Sequence, residues 1–92
     1  MSDALIRRLR EQIAERDRAI LDAINARLRL VAELRRHKQS QGLDFFDPEQ
    51  EERLLSALER TNGGPLSAAG VRSLFSEVLA LTKRELDGTP PS

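Results

Sequence analysis

LIRRLREQIAERDRAILDAINARLRLVAELRRHK, residues 5–38, decides the fold. Within it Ile6, Leu9, Ile13, Ile20, Ile24, Leu28, Val31 and Leu34 recur at three-and-four spacing, which lines up one apolar face of an amphipathic helix. No Pro or Gly interrupts the run. Ser2 and Asp3 are N-cap candidates and Gly42 is a stop, so the pattern predicts a single helix from Ser2 to about Gln41. Such a helix would be roughly 55 Å long, more than the diameter of a small domain. Its other face is solvated, with Arg7, Arg8, Glu11, Glu15, Arg18, Asp22, Arg29, Glu33 and Arg36. Arg10, Asp17, Arg27 and Lys38 break the apolar stripe. Desolvating a charge without a partner costs several kcal/mol, so something polar and anionic is expected to meet them.

Two shorter helices follow. Asp47-Pro48-Glu49-Gln50 is a helix start: Asp47 caps, Pro48 takes the first helical position, and Gln50 can complete a capping box. This helix runs to about Arg60, with Leu54, Leu55 and Leu58 on its apolar face and Glu51 on the same face. Thr61-Asn62-Gly63-Gly64-Pro65 is a turn. Ser67 caps a third helix to about Leu86, whose buried face is Val71, Leu74, Phe75, Val78, Leu81 and Leu86, with Thr82 among them. The expected organisation is one helical domain over 1–86 and a flexible tail over 87–92. The fold class is all-α. A core this small covers the long helix poorly, so an intertwined homodimer with antiparallel long helices is expected.

The 92-residue chain balances 15 Lys and Arg against 15 Asp and Glu, which argues against a general binder of nucleic acid or anionic membrane. It has no cysteine and one histidine, His37, so neither a disulfide nor a His/Cys metal site is expected. No secretory h-region and no apolar run of ~18 residues is seen, which points to a cytoplasmic protein.

The ordered set Leu9-Arg10-Glu11-Gln12-Ile13, Asp17, Arg27, Lys38, Asp47-Pro48, Glu51, Phe75 and Thr82 resembles the all-helical, type II class of chorismate mutase over about Leu5 to Leu86. Phe46-Asp47-Pro48 and Asn62-Gly63-Gly64-Pro65-Leu66 look most like the mutase domains fused to DAHP synthases. The resemblance implies a one-step pericyclic rearrangement of the dianion chorismate to prephenate, in phenylalanine and tyrosine biosynthesis, with no cofactor. Such catalysis rests on holding the compact conformer and stabilising charge on the ether oxygen.

On the matching positions, the resemblance implies that Arg10 enters the partner's pocket and binds a substrate carboxylate. Arg27 binds a carboxylate bidentately, and Lys38 contacts the ether oxygen and a carboxylate. Glu51 holds the ring hydroxyl, Asp47 contributes its backbone nearby, and Thr82 keeps a hydroxyl where Ser is usual. Gln50 occupies a substrate-binding position where family members usually carry Arg, so one pocket cation is missing. Leu86 stands where many have Gln or Glu, with Glu85 as the substitute should the register shift, and Arg35 stands where Gly is common. Structural readings compete at each position: Asp17 in an ion pair across a dimer, Lys38 and Glu51 on helix dipoles, Thr82 bonding back to its own helix. Arg16 and Arg35 are expected to be solvated, and His37 to lie at the surface. Competing functions are a weakly active regulatory module partnered with a DAHP synthase, the related isochorismate-pyruvate lyase, and a structural helical dimer.

Overall fold

The computed structural model describes residues 2–87. They form three helices: α1 over Ser2–Ser40, α2 over Pro48–Thr61 and α3 over Ala68–Leu86. The all-helical expectation holds, and each predicted boundary lies within a residue or so of the observed one. The predicted tail beyond Asp87 lies outside the described residues. Asp87 itself ends α3, its N–H donating to the Lys83 carbonyl at 3.0 Å. Among the described residues no helix is long and apolar enough to cross a membrane.

The chain divides into two compact units, Met1–Leu34 and Arg35–Ser92. The first is a length of α1. Helix α1 is already under way at Ser2 and Asp3 lies in its first turn, so Asp3 serves the positive end of the dipole rather than the cap. Leu5, Ile6, Leu9, Ile13 and Ile20 are exposed, and Ile24, Leu28 and Val31 are half-buried. Arg10, Asp17 and Arg16 are exposed and Arg27 is half-buried.

The second unit begins with the last turns of α1. The helix stops at a Schellman motif: Leu43 N–H donates to the Lys38 carbonyl at 2.9 Å and Gly42 N–H to that of Gln39 at 3.2 Å. Gly42 takes φ +69°, the left-handed conformation that closes this motif. Helices α2 and α3 then pack as a hairpin around Leu55, Val71 and Val78, with the polar Thr82 buried alongside them. Leu54, Leu58, Phe75, Leu81 and Leu86 are half-buried. Leu74, expected in the core, is exposed. At about 100° per residue, Val71, Val78 and Thr82 define the centre of the α3 face and Leu74 falls at its edge.

Polar contacts fix the hairpin. Arg72 reaches across it, with Nε 3.0 Å from Glu59 Oε1 and Nη2 3.0 Å from Glu52 Oε1. In the turn, Asn62 Oδ1 accepts from Gly64 N–H at 3.0 Å and Asn62 Nδ2 donates to the Leu66 carbonyl at 2.6 Å. Arg35 corrects the expectation of a solvated side chain. Its guanidinium donates to the Leu86 carbonyl, lies 3.6 Å from Asp87 Oδ1 and stands 5.5 Å over the Phe45 ring. The physical reason is the negative C-terminal end of α3, which attracts a cation within reach.

Candidate active site

The Phe45–Asp47 segment and the start of α2 organise the second unit's candidate residues. Asp47 caps α2 by accepting from the Gln50 N–H at 3.1 Å, and Pro48 takes the first helical turn. That start places Glu51 in the first turn, its N–H donating to the Asp47 carbonyl at 3.1 Å. A carboxylate there is favoured by the helix dipole whatever else it does.

Glu51 turns towards α3. Lys83 Nζ lies 3.1 Å from Glu51 Oε2 and 3.3 Å from Oε1, so one ammonium spans both carboxylate oxygens. The same ammonium stands 4.2 Å over the Phe46 ring. Lys83 has no place in the sequence reading. Its sequence signal is weak: it follows Thr82 about 100° round the helix, off the centre of the α3 apolar face, and its partner lies 32 positions away.

Lys38 is half-buried in the last turn of α1, and its Nζ donates a long, 3.5 Å hydrogen bond to the Phe45 carbonyl. The C-terminal dipole and this carbonyl both favour a cation there. Thr82 is 6% exposed, and its hydroxyl donates to the Val78 carbonyl at 2.7 Å. That is the back-bond to its own helix.

Gln50 is exposed, and its Oε1 accepts from Arg53 Nε at 3.2 Å and Nη2 at 3.1 Å. The side chain therefore faces Arg53 instead of completing the capping box, and only Asp47's half of that motif is made. At the end of α3, Leu86 is half-buried and Glu85 exposed, so the helix turns an alkyl group inward where a donor is common in the resembled family.

In the first unit, Arg10 lines a shallow depression of α1 with Asp3, Ile6, Arg7, Glu11 and Ala14. Among the described residues no group of three or more His, Asp or Glu side chains is placed to hold a metal ion. The chemistry these residues offer is recognition: ammonium and guanidinium groups for carboxylates, and a carboxylate for a hydroxyl.

The geometry is matched by comparison with known proteins. The family model for chorismate mutase type II matches residues 9–85. The structure of chorismate mutase from Thermus thermophilus, Form I, superposes with a TM-score of 0.82 at 35% identity, covering 84% of this chain and 96% of that one. Form II of the same enzyme gives a TM-score of 0.85 at 32% identity over 91% of this chain and 96% of the other. No curated protein sequence matches. With residues 9–85 matched by the family model, the chain belongs to the type II chorismate mutase family.

Proposed function

We propose that the chain rearranges chorismate to prephenate by clamping carboxylates and stabilising the ether oxygen, and that it does so as a homodimer with antiparallel α1 helices. One observation carries the reading: the family match over 9–85 spans Arg10, Arg27, Lys38, Asp47, Glu51 and Thr82. The reaction needs no nucleophile and no proton transfer. What accelerates it is a site complementary to the compact, charge-separated transition state. Arg10 and Arg27 are the carboxylate-binding guanidiniums, and Lys38 is the cation for the ether oxygen and a carboxylate. Glu51 accepts from the ring hydroxyl, with the Asp47 backbone beside it and the Thr82 hydroxyl at a carboxylate. The exposed Ile6, Leu9, Ile13 and Ile20 support the dimer, because a contiguous apolar stripe of this length calls for a cover.

A second reading, a weakly active regulatory module acting with a DAHP synthase, is favoured by two positions. Gln50 is neutral and turned to Arg53, and Leu86 offers no donor. Losing one charge-stabilising donor lowers rates by about 10²–10³ in other enzymes.

The test is chorismate consumption by the purified chain with the product identified. Prephenate formation is the expected outcome. Arg27→Ala is then expected to lower kcat/KM by about 10²-fold or more while the chain stays helical by circular dichroism. Pyruvate released from isochorismate, without prephenate from chorismate, would move the assignment to the lyase. Binding of prephenate or a synthase without turnover would move it to the regulatory module.

A further inference from the structure

We infer that Lys83 is a positioning residue for Glu51, and that its ammonium is what lets a carboxylate serve at a site built for a dianion. The inference rests on the mutase reading. Three observations carry it. Lys83 Nζ contacts both Glu51 carboxylate oxygens, at 3.1 and 3.3 Å, which fixes the orientation of the carboxylate plane. The ammonium also stands over the Phe46 ring, 4.2 Å from the centroid. Phe46 immediately precedes the Asp47 cap, so the ring, the cap and Glu51 all belong to the start of α2 while Lys83 comes from α3.

The electrostatic argument is direct. A hydroxyl acceptor beside a doubly negative ligand repels that ligand unless a cation neutralises it. Gln50 supplies no charge and bonds Arg53, so it does not serve Glu51. Lys83 does, and it leaves the carboxylate's remaining lone pairs for a donor arriving from the ligand. A carboxylate locked in one orientation also avoids the cost of ordering it when substrate binds. Lys83 therefore acts on substrate through Glu51.

A double-mutant cycle tests this. Wild type, Lys83→Gln, Glu51→Gln and the double variant are compared for chorismate kcat and KM, and for prephenate affinity by calorimetry, which reads the cycle even where turnover is too slow to measure. Lys83→Gln is expected to weaken kcat/KM about tenfold, a size seen for coupled neighbours, with most of the change in KM. Lys83→Arg is expected to restore most of it, since a guanidinium can make both the ion pair and the ring contact. In the Glu51→Gln background, Lys83→Gln is expected to change prephenate affinity less than about twofold. Equal losses in both backgrounds would overturn the inference, because Lys83 would then act independently of Glu51. So would a lowered melting temperature with kinetics unchanged, the outcome of a merely structural pair. Absence of wild-type turnover and of prephenate binding would remove the mutase reading and this inference together. Wild-type turnover with an indifferent Lys83→Gln would remove only the inference.

Discussion

From Ser2 to Leu34 the chain is a length of helix on which Ile13 and Ile20 are each 60% exposed, whereas beyond Arg35 the side chains of Leu55, Val71 and Val78 are all buried. The two regions have similar raw material, apolar residues at helical spacing. They differ in what surrounds it. The second unit has an Asp47 cap, a Ser67 cap, a Gly-rich turn stitched by Asn62, and a cross-hairpin Arg72. Each acts over a few residues or across one turn, so this unit carries the instructions for its own core. The first has a long stripe with neither a break nor a partner element from its own unit. Most helical stability comes from packing of an amphipathic face rather than from intrinsic propensity. On the dimer reading, the information in the first unit is addressed to a second copy of the chain.

The sharpest way to break that contrast is to charge the stripe. Ile13→Asp places a carboxylate where a second copy would bury an isoleucine. On the dimer reading the expected outcome is a shift from dimer to monomer in sedimentation or sizing, with turnover lowered by about 10²-fold because Arg10 would no longer reach a second copy's site. A wild-type chain that sediments as a monomer, or an Ile13→Asp chain that keeps its size and rate, would refute the contrast.

The converse experiment truncates the second unit's core. Leu55 is 7% exposed between α2 and α3, and Leu55→Ala is expected to cost about 2–3 kcal/mol in urea unfolding. The comparison is made at one protein concentration, since association adds to apparent stability. A cost below about 0.5 kcal/mol, the range of surface substitutions, would mean that the hairpin core is not what holds this unit.

Which of these features the sequence displays follows from how far each interaction reaches. The long helix is visible in its period, and its stop in Gly42, because a Schellman turn spans only a few residues. Asp47-Pro48 reveals both the start of α2 and the first-turn placement of Glu51 for the same reason. The back-bond of Thr82 to Val78 is local, spanning one helical turn, and is legible for the same reason. The contacts that escape the sequence join distant positions: Lys83 to Glu51, Arg35 to the end of α3, Arg72 to Glu52 and Glu59. Nothing in a helical period says which neighbour a long flexible cation will choose. Leu74 escapes for a related reason, since a helical wheel gives the arc but not how much of it a 14-residue neighbour can cover. At the candidate site this left Glu51's position legible and its charge partner hidden.

The smallest expected effect belongs to the Arg72 cluster, and it sharpens the comparison by being confined to the second unit. The Arg72 guanidinium, hydrogen-bonded to Glu52 and opposite in charge, holds the Glu52 carboxyl below its ordinary range. The bonds to Glu52 and Glu59 push Arg72 further above its own ordinary value, so Arg72 stays protonated at any working pH. The pH dependence therefore comes from Glu52. A carboxyl whose folded value is depressed contributes stability in full above the ordinary carboxylate range. That contribution is lost as pH falls through the lowered folded value. Glu52→Gln should accordingly be less stable than wild type at about pH 7, and the gap should close towards about pH 3. Urea midpoints of the two chains across that range measure it. Added salt should narrow the gap at neutral pH, because these side chains face solvent and exposed pairs are screened. No gap at any pH would mean that Glu52 contributes through its hydrogen bonds as a neutral amide would. The hairpin would then depend on its caps, on Leu55, Val71 and Val78, and on the Arg72–Glu59 pair, with no electrostatic part played by Glu52.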